Sequence, residues 1–103
     1  MYLIQIFLPL QDNRGRPIAE RHFKELAQEL SERFGGLTAY VRAPATGLWK
    51  TRESARMLRD EIVIYEVIAR RLDRRWWKQK RQALQSTFRQ QEILIHGHAI
   101  LRL

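Results

Sequence analysis

An α+β fold, with four strands and two helices in one domain, is what this chain predicts. Four short apolar stretches read as strands, and two longer stretches repeat their apolar residues with a helical period. Turn residues separate them, in the order strand, helix, strand, strand, helix, strand. A chain of 103 residues leaves room for a single domain, 1–103. Its 45% apolar content suits a folded core.

The first strand is "YLIQIFL", residues 2 to 8. Tyr2, Ile4, Ile6 and Leu8 share one face, and Leu3, Gln5 and Phe7 the other. "PLQDNRGRP" then supplies turn residues. An amphipathic helix follows over about 18–34, with Ala19, Phe23, Leu26, Ala27, Leu30 and Phe34 in one stripe. Gly35-Gly36 ends it, because glycine takes the left-handed conformation past a helix C-terminus without steric cost.

"LTAYVRA" alternates as a second strand over 37–43. Residues 50–60 are polar and read as a long connection with room for a short helical turn. "EIVIYEVIA", 61–69, is rich in β-branched residues and predicts the third strand. A second helix is expected over about 74–90 and a fourth strand in "EILIHGHAILRL".

That order is the ferredoxin-like βαββαβ pattern: a four-stranded antiparallel sheet with two helices on one face. The helix side is expected to take Ile4, Ile6, Leu8, Ala39, Val41, Val63, Tyr65, Val67, Ile93, Ile95 and Leu101. The open side then carries Leu3, Gln5, Phe7, Tyr40, Arg42, Ile62, Ile64, Glu66, Ile68, Leu94, His96, His98, Ile100 and Arg102. So many large apolar side chains on one open face mark a contact surface, and a two-fold homodimer stacking sheet on sheet would cover it.

Composition narrows the chemistry. The absence of cysteine excludes disulfides, thiolate metal sites and cysteine nucleophiles, and it suits a cytoplasmic location. No apolar run approaches the ~20 residues that span a bilayer, so no membrane is expected as partner. Net charge is +8, which suits nucleic acid or another anion. Arginine outnumbers lysine 15 to 4, however, a bias that a GC-rich genome produces without any function. RNA-recognition domains of this strand order stack bases on aromatic residues of the third strand. Here that strand carries isoleucines, which argues against RNA on the sheet.

Several residues are candidates for a site. His96 and His98, two apart on a strand, point to the same face. With Glu66 they form a candidate acid–base set in which Gln5, Tyr40 or Arg42 orients a substrate, as in a cofactor-independent oxygenase or isomerase. The plainer expectation is that Glu66 pairs with Arg42 or Arg102 and that the histidines make ordinary interface hydrogen bonds. Trp49, after Gly47, is read as capping the core edge, with ligand stacking as its alternative. Arg52, Arg56 and Arg59 in the connection, with Arg74 and Arg75, are candidates for holding an anion. No Ser-His-Asp set, phosphate-cradling glycine loop or zinc spacing is present, so neither cofactor nor metal is expected.

The stretches "RFGGLTAYVRAPATGLWK", "RDEIVIYEV" and "WWKQKRQALQSTFRQQEILI" resemble a small uncharacterised bacterial family. Phe34, Gly36, Leu37, Thr38, Gly47, Trp49, Phe88 and Gln91 carry the similarity, over roughly residues 20–95. The doubled tryptophan and the His96-Gly97-His98 end depart from it. The resemblance implies the same fold and brings no activity with it.

"LDRRWWKQKRQ", 72–82, sets two tryptophans among basic residues. Asp73 suits an N-cap, and Leu72 with Trp77 suits a hydrophobic staple across it. Trp77 then enters the core with Leu84 and Phe88, leaving Trp76 at the stripe's edge above Ala83 and Thr87.

Overall fold

The computed structural model of the chain describes residues 1–42 and 62–103. Its elements are β1 (Tyr2–Pro9), α1 (Glu20–Phe34), β2 (Thr38–Arg42), β3 (Ile62–Ala69), α2 (Arg74–Thr87) and β4 (Ile95–Ala99). The strands form one antiparallel sheet in the order β2-β3-β1-β4. β1 and β3 are central and eight residues long, and their sequences are the two most apolar.

One side of this sheet closes into a core. Ile4, Ile6 and Leu8 of β1 and Tyr65, Val67 and Ala69 of β3 are buried together with Leu26 and Leu30 of α1 and Trp77 and Leu84 of α2. Phe88 and Ile93, just beyond α2, complete the cluster. Phe88 is fully buried, with the Phe23 ring edge-on at 5.1 Å and the His22 ring tilted at 6.2 Å. The Tyr65 hydroxyl donates to the Phe23 carbonyl at 3.2 Å, which ties α1 to the sheet.

The helix ends follow local chemistry. The Asp73 carboxylate accepts from the Trp76 N–H at 3.0 Å, so the expected N-cap is present. Leu72 is half-buried against the core that Trp77 enters, the placement a staple calls for. Gly35, at φ 79°, closes α1 by donating its N–H to the Ser31 carbonyl at 2.9 Å. α2 ends at Thr87, earlier than the expected 90. Arg89 is in the left-handed region at φ 51°, and its carbonyl accepts from the Asn13 N–H at 3.2 Å. The Gln90 side chain donates to the Gln11 carbonyl at 2.8 Å, so the β1–α1 loop covers this helix end. In that loop Asp12 accepts from the Arg16 and Arg14 N–H groups at 2.9 and 2.8 Å.

Three expectations need correction. The fourth strand is five residues long, Ile95–Ala99, where alternation had suggested a run to the chain end. Ile93 is buried outside it, its N–H held by the Gln85 side chain at 3.2 Å. Leu101, expected on the helix side, lies past the strand and is 90% exposed. Val41, expected to face the helices, is 75% exposed. Alternation assigns a side of the sheet, and on edge strand β2 that side is left uncovered at Val41.

Candidate functional site: the open sheet face and the basic helix

The register arranges the open face in rows. Gln5 lies opposite Glu66 on one flank and His96 on the other, while Thr38 lies opposite Glu66. One polar row therefore crosses all four strands as Thr38, Glu66, Gln5, His96. Apolar residues flank it: Ile68 and Leu3 with His98 on one side, Tyr40, Ile64 and Phe7 with Leu94 on the other. Tyr40, Ile68 and Leu94 are exposed, and Leu3, Phe7, Ile62 and Ile64 are half-buried.

Strand order decides what the candidate residues can do together. β1 stands between His96 and Glu66, which separates them by about 10 Å, two strand spacings. Gln5 fills that gap. The imidazole of His96 stacks on Phe7, centroids 5.2 Å apart and planes 20° from parallel. His98 lies beside Leu3, one row away. Among the described residues, no group of three His, Asp or Glu is placed to hold a metal ion.

Glu66 has a partner that sequence reasoning missed. Tyr40 is diagonal to it across β2 and β3, and a hydrogen bond from the phenol to the carboxylate, with that negative charge close by, raises the Tyr40 pKa above 10.0. Among the described residues the ion pairs are Lys24–Glu20, Arg33–Asp73 and Lys80–Glu29, so Arg102 does not serve as the expected counter-ion of Glu66. Arg42 pairs in register with Ile62, four residues along from Glu66. Its side chain, together with Trp49, Arg52, Arg56 and Arg59, lies outside the described residues.

The doubled tryptophan has a structural account. Trp77 is buried, stacked on Phe34 at 5.4 Å. Trp76 is half-buried, edge-on to Phe34 at 5.7 Å and to Trp77 at 4.7 Å. The Arg33 guanidinium lies over its ring at 4.1 Å and reaches Asp73 at 3.9 Å. Lys80 pairs with Glu29 lower on the same helix pair. Trp76 thus joins α2 to the end of α1, where Arg33 and Phe34 cover it.

Arg74 and Arg75 are exposed at the start of α2, where the helix's own positive end disfavours them. Arg74 contributes to two hollows. One, of about 580 Å³, also takes in Arg33, Arg71 and the tryptophan pair. The other, about 520 Å³, runs between α2 and β4. No helix among the described residues is long and apolar enough to cross a membrane. No family model, curated protein or solved structure matches the chain.

Proposed function

We propose that this chain is a ferredoxin-like domain, akin to the small bacterial family it resembles, that assembles as a homodimer by stacking its open sheet face on a second copy. The observation that carries this reading is the face itself, where Tyr40, Ile68 and Leu94 are 47%, 50% and 54% exposed beside four half-buried apolar residues. Soluble monomers rarely leave a continuous apolar patch of this kind bare. Stacking would enclose the row Thr38, Glu66, Gln5, His96 between two apolar surfaces. Buried polar groups need partners, so the enclosed row becomes the contact line for a small polar ligand. The binding residues in this reading are Gln5, Tyr40 and Glu66, with His96 and His98 at one end.

Size-exclusion chromatography with light scattering tests it. The wild type is expected to run as a dimer and an Ile68→Asp variant as a folded monomer, judged by circular dichroism. A wild-type monomer at the highest concentration that stays clear would sink the reading.

Proton transfer by His96 or His98 within the enclosed row is the second reading. Its support is that both histidines are exposed on the face, with Gln5 placed to relay orientation between His96 and Glu66. Imidazole is the side chain that titrates near neutrality. Nucleic acid is the third, resting on the basic start of α2. It predicts salt-dependent binding of single-stranded RNA, which fluorescence titration would detect.

A further inference from the structure

The hollow between α2 and β4 has a construction of its own. Tyr2, Ile4 and Trp77 contribute apolar surface to it. Arg74, Lys78 and Arg81, spaced to share one side of α2, line it with positive charge, and none of the described residues that border it is acidic. Gly97 and Ala99 of β4 are on the helix side of the sheet, since Gly97 pairs with buried Ile4, yet both are exposed. α2 therefore leaves β4 uncovered on that side.

β4 is also an edge of the sheet among the described residues. Ile100 donates to the Met1 carbonyl and Phe7 to the Leu94 carbonyl, both at 3.0 Å. Antiparallel ladders alternate, so Leu94, His96, His98 and Ile100 spend their backbone groups on β1. Ile95, Gly97 and Ala99 then direct their N–H and C=O groups outward. These same three residues turn their side chains toward the hollow, and two of them are glycine and alanine. The backbone edge is accordingly unobstructed by bulk.

We infer that β4 and α2 form a docking groove for an extended acidic peptide, which adds as a fifth strand on β4 and directs alternate carboxylates at Arg74, Lys78 and Arg81. Strand addition supplies affinity through main-chain hydrogen bonds and specificity through alternate side chains. A strand paired with Ile95, Gly97 and Ala99 places every second side chain on the helix side, where the basic row stands. Charge decides the occupant: a second copy pairing β4 with β4 would bring two such basic rows together, whereas an acidic strand complements one. The groove lies on the helix side of β4 and meets the open face only where His96 and His98 also border it, so the inference does not rest on the proposed dimer.

The test uses the full chain and a fluorescein-labelled peptide of alternating glutamate and valine, read by anisotropy at low ionic strength. The peptide is expected to bind, and replacing its glutamates by glutamine is expected to weaken binding by about tenfold or more. Charge reversal at Arg74→Glu, Lys78→Glu and Arg81→Glu should do the same, with circular dichroism reporting the fold. Methylating the peptide's backbone nitrogens on the edge facing β4 leaves the protein untouched and should cost about tenfold as well, because it deletes ladder donors. Unchanged affinity on methylation overturns strand addition, and unchanged affinity with glutamine overturns the role of the basic row. A groove that takes a single-stranded RNA oligonucleotide and leaves the peptide free overturns the inference too.

Discussion

The two faces of the sheet are cut from the same strands and differ in only one respect that matters. On the inner face Ile4, Ile6, Leu8, Tyr65 and Val67 meet side chains from both helices and are buried. On the outer face Leu3, Phe7, Ile62, Ile64 and Ile68 are as apolar, residue for residue, and remain half-buried or exposed. The inner face spends its polar groups sparingly: the Tyr65 hydroxyl is bonded to the Phe23 carbonyl, and Tyr2 is only half-buried at the rim of the core. The outer face carries a full polar row between apolar ones. Hydrophobicity alone therefore does not say which face is closed. What closes a face is the stripe on each helix, and among the described residues the polar row lies on the face that neither α1 nor α2 covers.

Breaking the inner face should have the largest effect. Phe88→Ala removes a fully buried ring and its edge contact with Phe23, at an expected cost of about 3–5 kcal/mol in urea denaturation. Ile68→Ala on the outer face is the matched control. At 50% exposure its cost to the folded monomer is expected within about 0.5 kcal/mol. A comparable loss at both positions would mean that the faces are not energetically distinct.

Gly97 probes the seam between β1 and β4. A Cβ there would come 2.9 Å from the Leu3 carbonyl oxygen and 3.1 Å from Ile4. The nearer atom is backbone and has little freedom to move away. Gly97→Ala is expected to destabilise by about 1–3 kcal/mol, with amide exchange rising first along β4.

Much of the inner face was readable in advance. Strand alternation puts Ile4, Ile6 and Leu8 together, and helix period puts Leu26 with Leu30 and Trp77 with Leu84, because each pattern is local. The Asp73 cap and the Leu72–Trp77 staple were readable for the same reason. Leu101 and Val41 were misjudged because alternation names a side without saying whether anything covers it. Helix period leaves Trp76 at the edge of its own stripe and is silent on Arg33 and Phe34, because those partners belong to another helix. Among the candidate site residues, parity brings Gln5, Glu66 and His96 to one face. Only the strand order, with β1 between β3 and β4, sets Gln5 between the other two and leaves Tyr40 to approach Glu66 diagonally.

Asp73→Ala is expected to cost about 1 kcal/mol, by freeing the Trp76 N–H at the start of α2. Asp73→Asn keeps an acceptor oxygen and loses the charge that meets Arg33. It should recover most of the stability, since exposed ion pairs contribute little. Thermal denaturation of the two variants separates cap from charge.

The smallest effect is the sharpest comparison of the two faces, because each has one tyrosine whose pKa is raised above 10.0 by a different cause. Burial against α1 raises Tyr65, whereas the Glu66 carboxylate raises Tyr40 through a hydrogen bond and its charge. A raised folded pKa means that the neutral phenol favours the fold. The stability it contributes is fully present below pH 10.0 and is lost as pH rises through the folded value. Titrations by near-ultraviolet absorbance, with Tyr40→Phe and Tyr65→Phe to assign the curves, should distinguish the causes. Salt screens the field at an exposed phenol and barely touches desolvation, so added salt should lower the Tyr40 midpoint and leave that of Tyr65 in place. Glu66→Gln should also lower Tyr40 alone. A Tyr40 midpoint indifferent to both salt and Glu66→Gln would detach it from the polar row, leaving Glu66 without its partner on the open face.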